Sequence, residues 1–217
     1  MRMSRLFFFL GGALVLVVAG WRISRPSLTE TVSDTTIKPP EAAPLCPWRE
    51  PEKDLKILFP TATGYKVETR ILSGLRVELG ERLGRAPAPD ENAFHFYSIY
   101  REATPLGTVL TRRIKGEHGA IEMVLATDPE RRVWGLHFQR LREPEPISRA
   151  IENAEWRRSF AGKRAESQWK LGGDVPDVPV EARASAEAVL EGARSLLILL
   201  ETADRAEVIR KAEQHHR

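Results

Sequence analysis

Strand-like runs crowded between Phe94 and Leu141 constrain this chain more than any other feature. FHFYSIYR (Phe94–Arg101) alternates and is aromatic, and LGTVLTRRI (Leu106–Ile114) follows a Thr-Pro turn. AIEMVLAT (Ala120–Thr127) and RVWGLHFQRL (Arg132–Leu141) flank the turn DPER. Short β-branched and aromatic runs bounded by turn residues read as strands. Connections this brief cannot hold the long crossover that parallel strands require, so hairpins in an antiparallel sheet are the expected product.

Helical patterns lie on both sides of these runs. Before them, LKILFPTA opens on an apolar run stopped by Pro60. Ile71, Leu75, Leu79 and Leu83 then recur every four residues, which predicts one helix face ending at Gly84. After them, a helix is predicted over Ile147–Phe160 and a longer one over about Ala184–Glu201, with Val189, Leu190, Ala193, Leu196, Leu197 and Leu200 on one stripe. Helix, strands, then helices give an α+β domain, an antiparallel sheet with packed helices, over residues 54–203. Residues 204–217 are a charged tail that extends the last helix.

The other end of the chain carries a different signal. Leu6 to Trp21 reads LFFFLGGALVLVVAGW without a charge, close to the ~20 residues a membrane crossing needs. Arg5 and Arg22 flank it, and Trp21 suits the interface. No small-x-small cleavage site precedes the next arginines, so residues 1–25 read as an uncleaved signal anchor rather than a removed leader. The expected location is a bacterial inner membrane, with one N-terminal transmembrane helix, the N-terminus in the cytoplasm and the domain in the periplasm. Residues 26–53, rich in Pro, Ser and Thr, read as an extended linker. Its Cys46 is too far from the apolar run for a lipoprotein signal.

The chain has 33 basic and 30 acidic residues, a balance that invites a nucleic-acid reading. Arg2, Arg5, Arg22 and Arg25 account for the excess, so the body is nearly neutral and has no basic face. Nucleic acid is therefore not an expected partner. A single cysteine excludes an intramolecular disulfide, a Cys-based zinc ribbon and a Cys-ligated iron–sulfur cluster. No GxGxxG, P-loop, HExxH or GxSxG occurs, no convergent metal-ligand set is visible, and no nucleophile stands beside a base. These absences disfavour an independent enzyme. Trp134, Trp156 and Trp169 are candidate stacking surfaces for an aromatic ligand.

Short motifs follow one another from Leu58 to about Glu201. They are LFPTA, Leu83-Gly84, Gly116-Glu117-His118-Gly119 before AIEMVLATD, RVWGLHFQRLRE, FAGK at Phe160–Lys163, and LGGDVPDVPVEARASAEAV. Their order resembles the FMN-binding domain family. That family includes flavin-carrying periplasmic subunits of sodium-translocating NADH:quinone reductases and Rnf-type complexes, a domain of nitrous-oxide-reduction regulators, and small membrane-anchored proteins.

In that family a threonine of the motif Asp-x-(Ile)-Ser/Thr-Gly-Ala-Thr-x-Ser/Thr-Ser carries FMN through a phosphoester bond. This sequence departs from the motif: Arg183 stands at the threonine position and Glu181 at the glycine, while Ala182 and Ser185 keep the small and hydroxyl-bearing positions. Arginine has no hydroxyl, so a phosphoester there is chemically excluded. The loop after Arg142-Glu143 has become PEPISRAI, with two prolines in place of a flexible turn. The resemblance thus implies a membrane-anchored protein of an electron-transport chain, with any FMN held non-covalently near Glu143, Ala182, Arg183 and Ser185. The alternative is a cofactor-free structural or assembly subunit. Either implies the subunits of a membrane redox complex as partners.

Overall fold

A computed structural model describes residues 52–215. The expected membrane anchor, most of the linker and Cys46 lie outside the described residues. Among those described, no helix is long and apolar enough to cross a membrane.

The centre of the fold is a five-stranded antiparallel sheet in the order β1-β2-β3-β4-β5, each strand paired with its neighbour in sequence. The strands are β1 (Gly64–Ile71), β2 (Ala93–Arg101), β3 (Thr104–Lys115), β4 (Ala120–Thr127) and β5 (Val133–Leu141). The expected strands are all present, with ends within a few residues of their sequence limits. The helices are α1 (Glu52–Leu58), α2 (Arg76–Leu83), α3 (Glu145–Glu152), α4 (Ala154–Arg158) and α5 (Arg183–His215). The α+β class and the antiparallel sheet are therefore present in the structure.

Alternation along the strands divides the sheet into two faces. Phe96, Leu110, Met123, Leu125 and Phe138 enter the main core with Val189, Ala193, Leu196, Leu197 and Leu200 of α5. Ile99, Val109, Val124 and Ala126 point the other way, into a smaller core capped by Leu55 and Phe59 at α1. Both faces of β4 are covered, which is why seven of its eight residues are buried and AIEMVLAT reads as a nearly continuous apolar run. Truncating Leu197, which is fully buried, would cost about 2–5 kcal/mol.

Two helices differ from the sequence pattern. The four-residue spacing from Ile71 to Leu83 spans three elements: Ile71 closes β1, a 3₁₀ turn covers Ser73–Leu75, and α2 begins at Arg76. Leu79 and Leu83 are buried, whereas Ile71 is 69% exposed. Gly84 ends α2 at φ 71°, the left-handed conformation that glycine adopts without strain. The expected helix over Ile147–Phe160 is broken at Asn153, whose side chain accepts from the amides of Glu155 and Trp156 and so starts α4 afresh. The last helix is longer than its apolar stripe, because α5 runs on past residue 203 to His215. Arg205–Glu78 and Arg70–Glu207 ion pairs tie its polar continuation to α2 and β1.

Candidate functional site

The tight connection between β3 and β4 is Gly116-Glu117-His118-Gly119. Gly116 N–H donates to Gly119 O at 2.8 Å and closes the turn. The next three amides leave the loop for two side chains. Glu117 N–H donates to Ser185 Oγ at 3.0 Å. His118 N–H donates to Glu143 Oε2 at 3.2 Å and Oε1 at 3.3 Å. Gly119 N–H donates to Glu143 Oε1 at 3.4 Å. The Ser185 hydroxyl spends its one proton on the same Oε1, at 3.1 Å.

The glycines make this approach possible. A Cβ on Gly116 would lie 1.9 Å from Glu143 Oε1, and one on Gly119 would lie 1.9 Å from Arg142 O. Successive amides facing one way form a concavity that suits an anion. In this chain a carboxylate from the chain itself sits there.

The residues implied as a flavin site are placed differently from one another. Glu143 and Ser185 meet at the loop. Glu143 immediately precedes Pro144, the N-cap of α3, so the prolines of PEPISRAI start a helix instead of extending a loop. Ser185 is fully buried in the first turn of α5. Ala182 ends a 3₁₀ turn and belongs to the main core with no exposed surface. Arg183 opens α5 and turns to Asp177, where its Nη2 donates to both carboxylate oxygens at 2.8 and 2.6 Å.

Beside Arg183 a groove of about 520 Å³ runs along α5, bordered by Trp169, Lys170, Glu187, Glu191 and Arg194. Trp169 is fixed by its own contacts. Its indole N–H donates to Arg164 O at 3.1 Å, its ring meets Phe160 edge-on at 5.8 Å, and Lys163 Nζ lies 5.6 Å from the ring centre. Lys163 also pairs with Asp174. Burial disfavours the charge on Asp174, but hydrogen bonds from Lys163 and the Lys170 amide hold its carboxyl below the ordinary range. The other two candidate stacking tryptophans do not border this groove. Trp156 is packed in the core against Phe160, and Trp134 lies on the opposite sheet face, donating to Leu58 O at 2.9 Å.

No family model matches this chain, and no curated protein matches it. The fit to FMN therefore rests on the residues alone. A phosphate needs donors without acceptors, and here the amides of Glu117, His118 and Gly119 and the Ser185 hydroxyl already donate within the chain, as does Arg183. As arranged, the loop amides and Ser185 do not fit the phosphate of FMN, and Arg183 commits its Nη2 to Asp177. Among the described residues, no group of three His, Cys, Asp or Glu side chains is placed to hold a metal. Sequence reasoning named Glu143 and Ser185 as site residues and Gly116–Gly119 only as a motif, without the contact between them, and it did not name Asp177 as the acceptor for Arg183. The one available signal for the loop was its pair of glycines bracketing two polar residues.

Proposed function

We propose that this chain is a membrane-anchored, FMN-binding-domain-like protein of an electron-transport chain, serving as a cofactor-free structural or assembly subunit of a membrane redox complex. The observation that carries this reading is Arg183. It stands at the position where the resemblance implies a threonine acceptor, it lacks a hydroxyl, and its guanidinium is held by Asp177. The proposal places the domain in the periplasm behind the Leu6–Trp21 anchor. The test is to express the full chain with a flavin transferase and record its visible spectrum. A colourless protein that cannot be reconstituted with FMN and that co-purifies with membrane redox subunits supports the proposal. Flavin that survives denaturation overturns it.

A second reading is non-covalent FMN in an electron carrier. It is favoured by the groove beside α5, where the Trp169 ring lies near Lys170, Arg183 and Arg194. Flavin does redox chemistry when bound, and a protein supplies position and potential. A yellow protein whose colour is released by acid, and lost on Trp169→Ala, selects this reading over the first.

A further inference from the structure

We propose that the Gly116–Gly119 loop and Ser185 form an anion-binding nest whose resident anion is the Glu143 carboxylate, and that the pocket takes a free oxyanion once that carboxylate is removed. Three observations converge on this. The donors are arranged as they would be for an external anion: two backbone amides and a hydroxyl meet one carboxylate, and a third amide fixes the hydroxyl. The backbone is shaped around the occupant, since a Cβ on Gly116 would strike the carboxylate oxygen itself. The contact also joins pieces distant in sequence, because Glu143 lies 25 residues from His118 and 42 from Ser185.

The chemistry follows from the donor inventory. Backbone amides cannot accept, and Ser185 Oγ already accepts from Glu117, so its proton points to Glu143. An uncharged side chain at residue 143 would satisfy fewer of these donors than a carboxylate does. Ser185 is buried, so leaving its hydroxyl unpaired is costly, and charge-assisted hydrogen bonds are the stronger kind. Ser185 also lies in the first turn of α5, where the helix dipole favours negative charge. Glu143 thus acts as a built-in ligand, holding the β3–β4 hairpin, the start of α3 and the start of α5 together. The ligand class is a small oxyanion: a carboxylate such as formate, or inorganic phosphate.

The experiment is anion rescue of Glu143→Ala in the full chain, purified in detergent, with formate or inorganic phosphate compared against chloride at equal ionic strength. The expected result is a melting temperature several degrees below wild type in chloride, rising saturably with either oxyanion. Wild type should show only the gradual, non-saturating stabilisation that phosphate gives folded proteins in general, because its site is filled. Glu143→Gln should lack the saturable rise as well, since the amide occupies the space without the charge. Adding Ser185→Ala should weaken the rescue about tenfold, the loss of one charge-assisted hydrogen bond. Equal effects of the oxyanions on wild type and Glu143→Ala, or no effect on either, overturn the proposal. If Glu143→Ala does not fold in chloride, recovery on refolding in phosphate or formate supports it, and failure in all three salts overturns it. None of these readouts depends on flavin.

Discussion

Arg85 holds Glu91 with both ends of its guanidinium, Nη1 donating to Oε2 at 2.9 Å and Nη2 to Oε1 at 2.8 Å. Arg112 of β3 adds a third hydrogen bond at 2.7 Å, and the Ala88 amide a fourth at 2.7 Å. Glu91 is 2% exposed, so the segment after α2 is joined to the sheet through one buried carboxylate. A buried charge is tolerated only when it is paired and hydrogen-bonded in this way.

That carboxylate predicts an acid transition. Burial alone would raise its pKa, but the hydrogen bonds from Arg85, Arg112 and Ala88 outweigh burial and lower it from 4.5 to about 2. A depressed folded-state pKa gives stability that is fully present above the unfolded value and lost as pH falls toward the folded one. The contribution is on the order of 3 kcal/mol, lost between about pH 5 and pH 2. Asp204 works in the opposite sense, since burial raises its carboxyl despite Arg131, and it blunts the loss. Urea midpoints from pH 6 to pH 3 should fall in wild type and be much flatter in Glu91→Gln, which starts about 3–5 kcal/mol lower because two guanidinium groups lose the buried negative charge they face. Parallel pH slopes in the two proteins would refute the assignment.

Gly119→Ala tests the loop from the backbone side. Its Cβ would lie 1.9 Å from Arg142 O, a main-chain atom, and Arg142 is itself held by its amide donating to Ala120 O at 2.9 Å. Neither side can yield without opening the ladder between β4 and β5. The substitution should destabilise by more than about 3 kcal/mol, in the range reserved for backbone clashes and broken networks. Gly74→Ala is the control, because nothing lies within 4 Å of a Cβ there and its cost should be within about 0.5 kcal/mol. Chemical denaturation of both variants checks the contrast.

Arg183→Ala should be nearly neutral for stability. Its ion pair with Asp177 joins side chains that are 46% and 49% exposed, and exposed pairs contribute about 0–1 kcal/mol. A loss well above 1 kcal/mol in a thermal melt would mean that Arg183 is a structural residue, and would weaken its use as a marker of a vacated attachment position. Asp177→Ala should behave the same way, because its other side-chain bond, from the Val178 amide, is local.

How far the sequence went can be read from particular residues. β2 to β5 were visible because aromatic and β-branched residues cluster between turn signals, a local property. β1 was not, because GYKVETRI is an edge strand with no fully buried residue and carries little apolar contrast. Its last residue, Ile71, fell by chance into register with Leu75, Leu79 and Leu83 and suggested a helix that starts only at Arg76. Asn153 was readable in principle as an N-cap, yet the apolar stripe running through it masked the break. At the candidate site, Glu143 and Ser185 came from motif order, but their meeting on the 116–119 amides depends on tertiary packing across 42 residues. No periodicity encodes such a contact.

α1 offers the last test, because it is the first described element, taking in the last two residues of the expected linker, and its attachment to the sheet is partly polar. Asp54 is buried under α1, with Oδ1 3.1 Å from His137 Nε2 and Oδ2 accepting from Gln139 Nε2 at 2.8 Å. Leu55 and Phe59 supply the apolar part of the seat, and Trp134 Nε1 binds Leu58 O at the far end. Asp54→Ala removes the acceptor from two β5 side chains inside this seat and should cost about 1–3 kcal/mol. Asp54→Asn should fall between wild type and Asp54→Ala, since its side-chain oxygen still accepts from Gln139. Limited proteolysis near residue 52 should follow the same order, fastest in Asp54→Ala, because a loosened α1 exposes its backbone before the sheet opens. If Asp54→Ala resists protease and urea as well as wild type does, the apolar contacts of Leu55 and Phe59 alone hold α1, and the buried carboxylate contributes nothing to its docking.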